Sequence, residues 1–406
     1  MRTYRELFAV REFRPLFWTS AIQVAAGTIS GLALATLIYD RTGSPLLSAL
    51  AMFGSSLTQL VGASTLLAAA DRLPPRALSV ALALVFAAGT AALALPGLPV
   101  AGVFGILAVL GLGQSLTSAV RYGLLNDVVA ADGYLIARSV LNMTVGAMQI
   151  GGFAAGGLLI LALSPRGALL ASAGLDALAA VVIRFGLRYR PPRGQRDERA
   201  GQPAGRGGVR DTWRVNRQLW SSPARRYIYL ALWLPNGLIV GCESLFVSYA
   251  PRHAGLLYGF AAAGMLAGDT LAGRFIPARW RARLGAPLRL LLAAPYLVLA
   301  LPVPLAVAAA AVVLASVGYC ASLLLQERLM TLVPDDVSGQ AMGLAMSGML
   351  AMQGVAAALA GGVAELTSPG TAMAVMAGAS LAITLTLAPG LRPVRRERRA
   401  ADPALR

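Results

Sequence analysis

Long apolar runs fill most of this chain, and the few ionisable or amide side chains inside them are where chemistry could be done. Glu243 follows Asn236 by seven residues in the run Asn236-Gly237-Leu238-Ile239-Val240-Gly241-Cys242-Glu243, so the two share one helix face. A carboxyl set in hydrocarbon is costly unless it meets water or a partner. Such a group can load and release a proton or hold a cationic substrate group, and its face is expected to look into a central cavity. The alternative is a structural carboxyl near the end of its span. Asp176 poses the same choice between proton or substrate work and a structural hydrogen bond. Arg121 could attract an anionic substrate group or pair with a carboxylate. Gln23, Asn142, Gln149 and Gln353 are neutral amides, which tolerate burial better than charges. They can grip a polar solute or bridge helices. No nucleophile–base constellation stands out, and a chain without lysine has no phosphate-binding loop of the Walker type. An enzyme and an ATP-driven pump are therefore not expected. One histidine, His253, and two cysteines in apolar runs, Cys242 and Cys320, leave no metal site, no cofactor and no disulfide framework in view.

The elements that must position these residues follow from composition. The chain has 406 residues, of which 57% are hydrophobic and 13% charged, with mean hydropathy +0.67. Soluble domains keep roughly 25% charged residues. Apolar runs of about 20 residues, the length that crosses ~30 Å of hydrocarbon, recur twelve times. They begin near Leu16, Leu46, Ala77, Val100, Tyr134 and Gly167, then near Tyr227, Gly255, Ala286, Pro304, Val337 and Gly370. The first run is too long for the apolar part of a signal peptide and reads as a span. The expected fold is an all-α membrane protein of twelve transmembrane helices in two six-helix bundles. Residues 1–187 form the first half and 223–390 the second. A linker rich in Arg, Pro and Gly covers 188–222, and a basic tail covers 391–406. Within the linker, Trp213, Val215 and Leu219 alternate with Arg210, Arg214 and Arg217, as in a short helix on a membrane surface. The net charge is +17, and every basic residue is arginine. The arginines cluster in loops that an even number of spans places on one side, which predicts cytoplasmic termini in a cell membrane. Their expected partners are anionic lipid headgroups, not nucleic acid.

A repeat supports the two halves. Ala147-Met148-Gln149, closed by Gly156-Gly157, returns 204 residues later as Ala351-Met352-Gln353, closed by Gly361-Gly362. Two parallel halves around a central path are a known solution for moving a solute across a bilayer. Gly151, Gly152, Gly156, Gly157, Gly361 and Gly362 are expected to set close helix packing where the halves move against each other. The turns after spans two and eight also correspond, as Ala70-Asp71-Arg72 and Ala272-Gly273-Arg274.

Twelve spans as six plus six, the long basic linker and the Asp-Arg turn resemble the major facilitator superfamily over nearly the whole chain. The family signature after span two, Gly-x-x-x-Asp-Arg-x-Gly-Arg-Arg, reads here as Leu67-Ala68-Ala69-Ala70-Asp71-Arg72-Leu73-Pro74-Pro75-Arg76. Asp71, Arg72 and Arg76 match, whereas Leu67, Pro74 and Pro75 depart from it. The resemblance is closest to the bacterial exporters of enterobactin and drugs, although the Gly-Pro pair of their fifth span is absent. It implies transport by alternating access and a conformational latch at Asp71, Arg72 and Arg76, with Arg274 as its counterpart. An Asp at a helix end can pair across the halves in one state and release in the other. The implied function is proton-coupled export of an amphipathic, drug-like or siderophore-like small molecule by a monomer. Uptake of a polar solute on the same fold, or a non-transporting sensor or scaffold, are the alternatives.

Overall fold

The computed structural model describes residues 4–66, 73–129, 133–192, 209–275, 277–334 and 337–391, and their regular structure is entirely helical. In chain order the helices are α1 (Tyr4–Ala9), α2 (Phe13–Thr42), α3 (Pro45–Phe53), α4 (Ser55–Thr65), α5 (Pro75–Leu93), α6 (Val100–Val128) and α7 (Tyr134–Gly186). After the linker come α8 (Val209–Ser221), α9 (Pro223–Ser244), α10 (Phe246–Tyr249), α11 (Ala254–Arg274) and α12 (Ala278–Ala293). The last are α13 (Leu305–Val317), α14 (Ala321–Thr331), α15 (Ser338–Leu366) and α16 (Pro369–Leu387). Twelve spans emerge: α2; α3 with α4; α5; α6; the two legs of α7; α9 with α10; α11; α12 with the 3₁₀ turn Ala294–Ala300; α13 with α14; α15; and α16.

Proline writes most of the span boundaries. Pro45 and Pro369 follow Ser44 and Ser368, whose hydroxyls accept from Leu47 N at 3.1 Å and Thr371 N at 3.2 Å. A serine cap followed by proline satisfies the open end of a helix without needing the missing N–H. The two legs of α7 reverse at Ser164, which takes φ 84° and ψ 163° immediately before Pro165. Proline disfavours the helical conformation in the residue before it, and a positive φ strains any residue but glycine. The helix α13 gives way to a 3₁₀ turn at Gly318–Cys320 before α14 continues the tenth span. Gly318 lies against the backbone of Leu288 and Leu292 there, a contact that leaves no room for a side chain.

The halves meet in two symmetry-related contacts. Spans two and eleven pack through α3 and α4 on α15, and spans five and eight through the first leg of α7 on α11. At the end of the bundle away from the termini, one apolar core includes both halves, with Leu32, Ala35, Met52 and Phe153 among Leu238, Phe246, Tyr258 and Tyr296. At the terminal end the cores are separate. Leu7, Leu16, Leu78, Leu124 and Leu187 belong to one, and Leu219, Ile228, Leu329 and Leu391 to the other. The molecule is thus joined at one end and divided at the other, among the described residues.

The linker is anchored on both sides of residues 193–208. Arg190 pairs with Glu12, whose Oε1 also accepts from Arg188 N at 2.9 Å. Beyond it, α8 packs on α9 and α15. Trp220 stacks on Tyr229 and Trp233 at 6.1 and 5.4 Å between ring centroids. Trp213 is 72% exposed on the same helix.

Candidate functional site

A cavity of about 280 Å³ lies within the first bundle, lined by spans one, two, three, four and six. Gly111 sits against Ser55 and Thr58, and a Cβ on Gly62 would lie 2.6 Å from Ser115 Oγ. These small residues let spans two and four approach closely, which brings Gln59 and Gln114 to the same cavity. Gln23 reaches it from α2, and Asp176 from the second leg of α7. Asp176 is only 6% exposed and makes no hydrogen bond or ion pair with any described residue. Met52, Phe86, Leu107 and Leu110 supply an apolar wall.

Arg121 lies toward the terminal end of the same bundle. Its Nη1 donates to Ser20 Oγ at 2.9 Å, so its partner is a hydroxyl on α2 and not a carboxylate. Its Nε and the Thr19 hydroxyl have no hydrogen-bond partner beside a small pocket of about 20 Å³ that Gln23 also lines.

The second bundle holds a different arrangement. Glu243 is 6% exposed and neighbours the buried Tyr258 and Tyr296 of spans eight and nine and the half-buried Tyr319 of span ten. Tyr258 donates its hydroxyl to the Glu243 carbonyl oxygen at 2.7 Å. The Tyr319 hydroxyl interacts with the Glu243 carboxyl. Neither it nor Glu243 Oε1 completes a hydrogen bond of good geometry, and the Tyr296 hydroxyl is likewise unpartnered. The 3₁₀ turn at Gly318–Cys320 carries Tyr319, so the break in span ten supplies a polar neighbour of the carboxyl. Asn236 donates from Nδ2 to Ser322 Oγ at 2.8 Å. The shared face of Asn236 and Glu243 therefore turns into its own bundle, where both are buried, and not toward an open path.

The remaining sequence candidates are dispersed. Gln353 accepts from Ser56 Oγ at 3.5 Å across the halves, whereas Gln149 is exposed. Asn142 lies in α7, and its side chain is outside the described residues. Asp71 and Arg72 also lie outside them. Arg76 donates to the carbonyl oxygen of Arg184, a bond within the first half and not across the interface. Arg274 is exposed at the end of α11. Among the glycines, a Cβ on Gly152 would come within 2.9 Å of Thr28 Cβ and one on Gly156 within 3.4 Å of Ile29 Cα. A Cβ on Gly157 would lie 3.3 Å from Gly255 Cα, and Gly361 presses on the backbone of Leu46. Gly151 and Gly362 face open space, so no neighbour requires a missing side chain there. Sequence reading missed Gly255, Gln114 and the tyrosines. Gly255 is one of 44 glycines with no distinguishing neighbour in sequence, and the tyrosines come from three different spans.

A family model described as Major Facilitator Superfamily matches residues 16–331. No curated protein matches. Among solved structures, the nucleoside transporter NupG superposes with a TM-score of 0.74 at 11% identity, covering 93% of this chain and 99% of its own. A POT family transporter in complex with a thioalcohol-conjugated peptide gives 0.70 at 12% identity, covering 94% and 97%. A bacterial homologue of the lysosomal transporter Spinster, in an inward-facing and unoccupied conformation, gives 0.66 at 15% identity, covering 96% of each chain. At these identities the likeness is one of fold alone.

Proposed function

This chain belongs to the major facilitator superfamily, and from that premise we propose that it is a secondary active transporter, moving a small molecule by alternating access and coupled to protons through Glu243. The observation that carries this reading is the division of the molecule. The halves share a core at one end and part at the other, and the carboxyl of Glu243, with one oxygen unpartnered, is buried against that shared core. With the termini cytoplasmic and the chain in the cell membrane, this is an inward-open state of a monomer. Asp71, Arg72, Arg76 and Arg274 would act as the latch of the opposite state. The direction proposed is export of an amphipathic compound. The polar lining of the cavity at Gln23, Gln59 and Gln114 supports a second reading, uptake of a hydrogen-bonding solute.

A screen of labelled small molecules in cells that overexpress or lack the protein separates these readings. Export lowers accumulation in the overexpressing cells, and uptake raises it. In proteoliposomes, Glu243→Gln is expected to abolish flux driven by a pH gradient while the protein still inserts. Undiminished driven flux in that variant would remove Glu243 from the coupling role. A wild-type protein that binds a solute yet moves none would mark a sensor or scaffold instead.

A further inference from the structure

We propose that the cavity of the first bundle binds a small organic ammonium ion, with its charge on Asp176 and its apolar body against Phe86, Leu107 and Leu110. The inference deepens the transport reading by naming a substrate class. It rests on that reading only for the cavity's role, not for the binding itself.

Three observations carry it. First, Asp176 lines the cavity and has no partner among the described residues, while it is 94% removed from solvent. An ionised carboxyl inside the membrane is expensive unless a cation or donor meets it, and no described side chain is bonded to Asp176. Second, the polar groups that share the cavity are neutral. Gln23, Gln59 and Gln114 offer amide oxygens, and an ammonium carries three donors to satisfy a carboxylate and such oxygens together. An anion would meet Asp176, and no positively charged side chain lines the cavity to offset it. Third, the space is too large for a bare metal ion. About 280 Å³ corresponds to roughly nine water molecules at ~30 Å³ each. An ion held by a few oxygens would leave most of that volume against the apolar wall. An arylalkylamine fills both parts, since its cation needs the carboxylate and its ring needs Phe86 and the leucines.

The test is equilibrium binding to the full chain in nanodiscs, without any gradient. Tritiated 2-phenylethylamine is the probe and 2-phenylethanol its neutral counterpart. Saturable binding of the amine is expected, at least tenfold weaker in Asp176→Asn and several-fold weaker in Gln114→Leu. The alcohol should bind no better to wild type than to either variant. Absence of saturable amine binding, equal affinity of Asp176→Asn, or equal affinity for the alcohol would each overturn the proposal. A second measurement needs no variant. A hydrophobic carbodiimide, mapped by mass spectrometry, should modify Asp176 less when the amine is present and Glu243 equally in both conditions. Unchanged yield at Asp176 would also overturn it. Loss of driven flux in Glu243→Gln bears on coupling alone, so the two readings fail separately.

Discussion

Gly255 and Gly157 place two backbones in contact where spans eight and five cross, and in the proposed transport cycle that contact is made only while this end of the molecule is closed. A methyl group at Gly255 would put its carbon 2.7 Å from Gly157 Cα and 3.2 Å from both Gly157 N and Phe153 O. Ordinary carbon contacts need about 3.5–4.0 Å, so the shortfall is on the order of 1 Å. All three opposing atoms belong to backbone, and no rotamer change relieves them. The helices must separate, and overpacking of this kind costs about 1–3 kcal/mol. The cost falls on one of two global states. A difference of that size shifts their ratio by roughly 5- to 150-fold toward the state open at this end. Gly255→Ala should therefore enrich molecules whose terminal ends have come together. Spin labels at Leu73→Cys and Thr331→Cys, on opposite halves at the terminal end, report this as a new short-distance population in pulsed EPR. Both native cysteines are buried and compete little for label. The control is Gly259→Ala on the same helix, where an added Cβ meets nothing within 4 Å. An unchanged distance distribution in Gly255→Ala, or the same change in Gly259→Ala, would refute the reasoning.

Other outcomes follow from contacts already described. Tyr319→Phe should reduce pH-gradient-driven flux in proteoliposomes less severely than Glu243→Gln, because it removes a neighbour of the carboxyl and not the carboxyl itself; full flux would place the hydroxyl outside the coupling site. Trp220→Ala should free α8, since two stacked pairs at about 0.5–1.5 kcal/mol each amount to roughly 1–3 kcal/mol; faster proteolysis after Arg217 would report it, and an unchanged rate would deny the anchor. The Glu12 carboxyl is pushed up by burial, but the Arg190 hydrogen bond, the Arg188 amide and both guanidinium charges outweigh this and hold it below its usual 4.5. A lowered value means the clamp stabilises the fold above the carboxylate range and is lost only as pH falls through the depressed value. A spin label at Tyr189→Cys should stay immobile from pH 7 to 5 and loosen in stronger acid, whereas Glu12→Gln should loosen it throughout; mobility that already rises near pH 6 would count against the clamp.

The span count, the two bundles and the linker helix were legible because each depends on local sequence. Apolar length, proline position and arginine clustering act within about twenty residues. The break between spans five and six was legible for the same reason as a new apolar run starting near Gly167. What sequence could not show is direction across a helix. Asn236 and Glu243 do share a face by their spacing, but spacing alone does not say whether that face meets an open path or its own bundle. Tyr258, Tyr296 and Tyr319 decide it, and they converge from three spans. Glycines divide in the same way. Gly157 and Gly362 look alike in sequence, yet one touches a backbone across the interface and the other faces open space.

The separate cores at the terminal end also bear on how the chain is made. Leu7, Leu16, Leu78, Leu124 and Leu187 close their cluster entirely within the first half. A nascent chain can complete that cluster before α9 has been synthesised. The shared core at the other end needs both halves and must form last. Domains generally fold as units, the N-terminal one first. The order of assembly is then built into the same division on which the proposed alternating access rests. Two polypeptides cut within residues 193–208 should each insert and then join through the shared core and the contacts of spans two with eleven and five with eight.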